Sequence, residues 1–175
     1  MIRLILPLLL VAVGCSTSNV FTDRDPNVEF NDYKTFAFLE PNPLLATPQS
    51  TSPLLEGRLV DATRAGLTAK GLTEAEDANS ADLIVSFTLG ARDRVEATEY
   101  PSYYGADYYG WGGPYYGRVE VRSYTEGTLA IDMFDRQREA PVWHGRTTKY
   151  ITRKMREKPG EAVTEAVDEV LKKFP

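Results

Sequence analysis

Apolar residues recur along this chain in three rhythms. The first is an unbroken run, Leu4 to Val13, flanked by Arg3 and closed by Gly14-Cys15. The second is strict alternation: Leu83, Val85, Phe87 and Leu89 are interleaved with Ile84, Ser86 and Thr88, which predicts a strand over 82–89 with one wholly apolar face. The strand is expected to run on through Arg92 to Thr98, where charges indicate departure from the core. The third is helical spacing. Leu55, Leu59, Ala62, Gly66 and Leu67 predict an amphipathic helix from Pro53 to Lys70, with Ser52 as N-cap, Pro53 in the first turn and Gly71 as the stop. A closing helix opens at Pro159 and lines up Val163, Ala166, Val167, Val170, Leu171 and Phe174. Its Glu161 and its Lys172 and Lys173 suit the helix dipole at their respective ends.

Shorter apolar patterns fill in the sheet. Val20 to Asp23 and Tyr33 to Leu39 read as strands, the latter with Phe36 and Phe38 on one face. Arg118 to Tyr124 and Gly127 to Phe134 read as an antiparallel pair turning near Thr125-Glu126, with Leu129, Ile131 and Met133 inward. Asp135 to Pro141 reads as a hairpin loop and Val142 to Tyr150 as the last strand. The fold class predicted is α+β: one mainly antiparallel or mixed sheet of four to six strands, with two amphipathic helices packed on one face. The other sheet face is expected to be semi-polar.

The first rhythm concerns address rather than fold. Its length falls short of the ~20 residues of a spanning helix but suits the core of a secretory signal. Cys15 is the single cysteine of the 175 residues. Val11-Ala12-Val13-Gly14-Cys15 resembles the lipobox of bacterial lipoproteins, in which the cysteine is acylated and becomes the new N-terminus. The expected organisation is a signal peptide over 1–14, a lipidated tether over 15–19 and one α+β domain over 20–175. The formal charge of −5 gives no electrostatic reason to bind nucleic acid and no help on an anionic membrane surface. Membrane attachment is therefore expected through acyl chains on Cys15, more than one being needed for a stable anchor.

Chemistry is sparsely signalled. A hydrolase needs a nucleophile, a base and an orienting group, yet His144 is the sole histidine and no Gly-x-Ser-x-Gly elbow occurs. His144 with Asp132 and Asp135 is a conceivable metal set, but turn and edge duties account for those carboxylates better. Glu120, Glu126, Asp132 and Asp135 supply acidic pairs without a separation that would test them. The expectation is no enzyme, no catalytic residue, no metal and no cofactor. The unusual segment is Tyr100 to Gly117, which holds seven of the ten tyrosines, Trp111, five glycines and two prolines. Its composition fits a low-complexity loop; it also fits a contact surface, with Tyr103, Tyr104, Tyr108, Tyr109, Trp111, Tyr115 and Tyr116 stacking on a saccharide or an envelope partner protein. The alternatives to binding are assembly through the semi-polar sheet face near Trp143 and, less well supported by the residues, hydrolysis.

Taken in order, the motifs resemble a known family. The lipobox cysteine is followed by Val20, Asp23 and Asp25, by Phe30 and Tyr33-Lys34-Thr35-Phe36, and by a helix ending in Lys70-Gly71. Ala81-Asp82-Leu83-Ile84-Val85, the Tyr/Gly-rich insert, Gly127-Thr128-Leu129, Ile131-Asp132, Asp135, Val142-Trp143-His144-Gly145 and Phe174-Pro175 complete the series. The pattern is similar to the bacterial lipoprotein family with the domain of unknown function 4136. That resemblance implies an α+β envelope lipoprotein of Gram-negative bacteria and no particular activity. Ser16 after the cysteine resembles the signal for outer-membrane sorting, which implies a domain facing the periplasm.

Overall fold

The computed structural model describes residues 19–40, 52–100 and 118–175. Six strands form one mixed sheet: β1 (Val20–Arg24), β2 (Thr35–Phe38), β3 (Thr73–Glu74), β4 (Leu83–Tyr100), β5 (Arg118–Asp135) and β6 (Ala140–Tyr150). The order across it is β1-β6-β5-β4-β2-β3. β1, β6, β5 and β4 pair antiparallel, whereas β2 runs parallel to both β4 and β3. Parallel neighbours need a crossover, and α1 (Pro53–Ala69) lies in the connection between β2 and β3. A one-turn helix, α2 (Arg153–Glu157), and the closing α3 (Pro159–Leu171) follow β6.

The α+β expectation holds. α1 begins at a Ser52 cap whose hydroxyl accepts the Leu54 amide. It ends in a Schellman turn: Leu72 N–H reaches the Leu67 carbonyl, Gly71 N–H reaches Thr68, and Gly71 takes φ of 91°. Leu59, Thr63 and Leu67 are its fully buried row. Gly66 lets α3 approach, since a methyl there would meet the Leu171 side chain. Both helices cover the sheet face that carries Phe36, Leu83, Val85, Phe87, Ile131 and Met133, all fully buried.

Three expectations need correction. Arg118 to Phe134 does not turn near Thr125-Glu126: β5 is one continuous strand, because β4 supplies a partner for every residue from Asp135 back to Arg118. Gly127, expected to open the second strand, sits mid-strand where the Ile151 side chain occupies the space of a β-carbon. Trp143 does not border the semi-polar face. It is buried beneath α3, edge-on to the Phe174 ring at 5.2 Å, and its indole lies over Gly145, where any side chain would collide with it and with Val170. Finally, Asp132 has no turn duty; it lies inside β5 on the uncovered face.

Candidate functional site

Cys15 and the aromatic residues Tyr103, Tyr104, Tyr108, Tyr109, Trp111, Tyr115 and Tyr116 lie outside the described residues. The residues that flank the aromatic segment are described, and they are cross-strand partners: Tyr100 pairs with Arg118. The segment thus joins the far ends of β4 and β5. β6 stops at Tyr150, opposite Glu126. From Asp93↔Thr125 to Tyr100↔Arg118, eight pairs continue as a two-stranded ribbon, ~25 Å long at the usual rise per residue.

The ribbon has two unlike faces. Val95, Val119 and Val121 share one face with Ala97 and are 71%, 52% and 62% exposed. This face continues the helix-covered side of the sheet past the helices; the Thr125 hydroxyl donates to Asp93 across it at 2.8 Å, and beyond that polar pair the valines are left uncovered among the described residues. The other face carries Arg94, Glu96, Glu120, Arg122 and Tyr124. At its base Arg92 and Arg94 both donate to the Glu126 carboxylate, at 2.9 and 3.0 Å, and hold it below the ordinary glutamate range. Tyr124 and Tyr150 meet edge-to-face at 4.5 Å beside that cluster.

His144 lies in β6 on the uncovered sheet face. Its Nδ1 is 2.6 Å from Asp132 Oδ1. Across the strands the row reads Ser86, Asp132, His144, Asp23. A nucleophile relay needs the imidazole between the hydroxyl and the carboxylate; here the carboxylate stands between them. Phe21 lies beside His144, with the Arg146 guanidinium 5.2 Å over its ring. Among the described residues no group of three His, Cys, Asp or Glu side chains is arranged to hold a metal ion.

The remaining motif residues brace the fold. The Asp82 carboxylate accepts the Lys34 and Thr35 amides and the Thr35 hydroxyl, tying β2 to β4. Burial would raise its pKa, but these donors hold it below the usual carboxylate range. Asp135 stands at the end of β5 and accepts Gln137 N–H, Arg138 N–H and the Tyr33 hydroxyl. Burial opposes ionisation there too, and the donors again prevail, lowering its pKa. The Tyr33 phenol is pushed well up by burial and by Asp135. Asp135 has the turn duty expected of it. Asp25 caps its own turn through Asn27 N–H. The terminal Phe174 fills the space between Phe30 and Trp143, and Lys70 Nζ binds its carbonyl.

Residues 20–175 match the family model described as Domain of unknown function (DUF4136). The chain belongs to the DUF4136 family. A DUF4136 family protein from Bacteroides thetaiotaomicron shares the fold at TM-score 0.59 and 22% identity, over 91% of this chain and 97% of that one. A PDZ domain protein from Parabacteroides distasonis matches at TM-score 0.57 and 14% identity, over 90% of this chain. This chain spans only 35% of that protein. No curated protein matches the sequence. At these identities the likeness speaks for the fold, and the DUF4136 match leaves the activity open. Sequence reasoning followed β4 out through Thr98 but broke β5 near Thr125-Glu126, and so missed that Arg118 to Tyr124 pairs with the outer half of β4.

Proposed function

We propose that this DUF4136 protein is a lipid-anchored lipoprotein of the cell envelope, held by acyl chains on Cys15 in the outer membrane and facing the periplasm. Its domain is a non-enzymatic binding or assembly module for an envelope protein or a saccharide. One observation carries the binding reading: a ribbon that leaves the body, exposes Val95, Val119 and Val121 on one face, and leads into the segment holding seven tyrosines and Trp111. Exposed apolar surface left uncovered among the described residues marks contact sites, and aromatic rings serve both protein partners and sugar faces.

The test is photocrosslinking in cells from a reactive amino acid placed at Val121, with Arg153 on α2 as control. A discrete adduct from Val121 and none from Arg153 is the expected result, and its mass distinguishes protein from glycan. Equal adducts from both positions would sink the reading. The anchor is tested separately: Cys15→Ser should abolish incorporation of labelled fatty acid.

A further inference from the structure

A cavity of about 250 Å³ lies between α1, α3 and the middle of the sheet. It exists because small residues face one another across the two layers: Ala91 and Gly127 on the sheet, Ala162 and Ala166 on α3. Leu59, Leu89 and Leu129 add apolar lining, and Ile151 and Met155 border it from the segment after β6. An engineered apolar cavity of ~150 Å³ already takes up benzene. This one is larger and leaves room for a short aliphatic chain. Met155 adds adaptability, since an unbranched thioether refits irregular contents.

Two polar side chains in the lining define what else the occupant must carry. Thr147 is 2% exposed, and its hydroxyl oxygen is buried without a hydrogen-bond partner. A buried hydroxyl left unpaired is costly; the oxygen is closed off from the cavity as it stands, so a turn about χ1 is needed to bring it to a ligand's acceptor and recover the bond. Lys149 donates to Glu165 and Glu169, at 2.9 and 2.8 Å. The trio carries one net negative charge, which disfavours a carboxylate ligand. A straight aliphatic group ending in a neutral carbonyl satisfies both conditions; a free fatty acid does not.

We propose that this cavity binds the acyl chain of a lipid ester or amide, with the carbonyl accepting from Thr147. The N-terminal strand brings such a group near. Val20 is the cross-strand partner of Thr147, and Cys15 precedes Val20 by five residues, a reach of ~17 Å when extended. The acyl chain therefore comes either from the lipid on Cys15 or from a separate lipid. The cavity assignment is independent of the ribbon.

The probe is a monoacylglycerol with a diazirine in its chain, photolysed on the full-length protein and mapped by peptide mass. Expected labelling falls on segments 89–91, 127–129 and 155–166, which are distant in sequence and meet at the cavity. The corresponding free fatty acid should label several-fold less. Ala166→Phe should cut labelling at least about ten-fold by filling the space. Thr147→Val, which keeps the side-chain shape, should cut it several-fold even if the larger substitution prevents folding. Labelling confined to exposed Val95, Val119, Val121 and Leu54, or unchanged by Thr147→Val, overturns the proposal. Stronger labelling of Cys15→Ser than of the native chain identifies the protein's own lipid as the occupant, and equal labelling identifies a separate lipid. Loss of fatty acid incorporation is read independently at Cys15, so failure of the anchor and failure of the cavity are distinguishable.

Discussion

Phe87 and Val95 lie on the same strand, on the same face, eight residues apart. Phe87 is fully buried beneath the helices, and Val95 is 71% exposed. Backbone pairing with β5 is continuous from one to the other. What changes is everything else: at Phe87 the sheet has α1 and α3 above it and β6 beyond β5, while at Val95 both are gone. Two strands alone are marginally stable in water. The ribbon therefore borrows its order from the body through an unbroken ladder. Strand length does not measure stability here; cover does.

The largest effect that can break this comparison is Phe87→Ala. It should cost about 3–5 kcal/mol in urea unfolding, against less than about 0.5 kcal/mol for Val95→Ala at a surface position. Similar losses at both positions would mean that the ribbon is covered in solution. Gly145→Ala comes next. Its methyl would run into Trp143 and Val170, an overpacking worth about 1–3 kcal/mol, with a fall in melting temperature and quenching changes in Trp143 fluorescence. Acid provides the third test. Asp82 and Asp135 have lowered pKa values when folded, so their contribution is present above the unfolded value of about 3.9 and is lost as pH falls through the folded values. Asp82→Asn should flatten the decline of body stability below about pH 4, and an unaltered pH profile would refute the assignment. The smallest effect lies in hydrogen exchange: amides at 95–98 should exchange faster than those at 85–87, because fraying of the ribbon spares the body.

The body was largely legible in the sequence because its periodicities record burial. Leu59 and Leu67 mark the α1 stripe, and Leu83, Val85 and Phe87 mark the covered face of β4; each is fully buried. Caps were legible for the same local reason, as at Ser52 and Gly71. The ribbon was legible only in its β4 half, followed through Thr98, because neither of its faces is buried and Thr125-Glu126 looks like a turn when the partner strand is unknown. Trp143 was misplaced by one strand face because the register shift between Met133 and Phe134, where β5 pairs with β6, lies outside what alternation alone reveals. β3 and α2 are too short to carry a period. Of the chemistry, the sequence identified His144 and Asp132 but not their contact, and it contained no sign that Thr147 and Lys149 would line a cavity with Ala162 and Ala166.

The pairing of β1 with β6 also has a consequence for the timing of folding. Asp23 faces His144, so the first strand finds its place only once nearly all the chain is available to fold. Closing so long a loop is entropically slow. Until β6 is in place the edge of β1 has no neighbour, while the β2–α1–β3 crossover and the β4–β5 pair can form from segments closer in sequence. We expect β1 to dock last, so that a chain truncated before residue 140 would keep its N-terminal strand open to proteases while later segments were already protected.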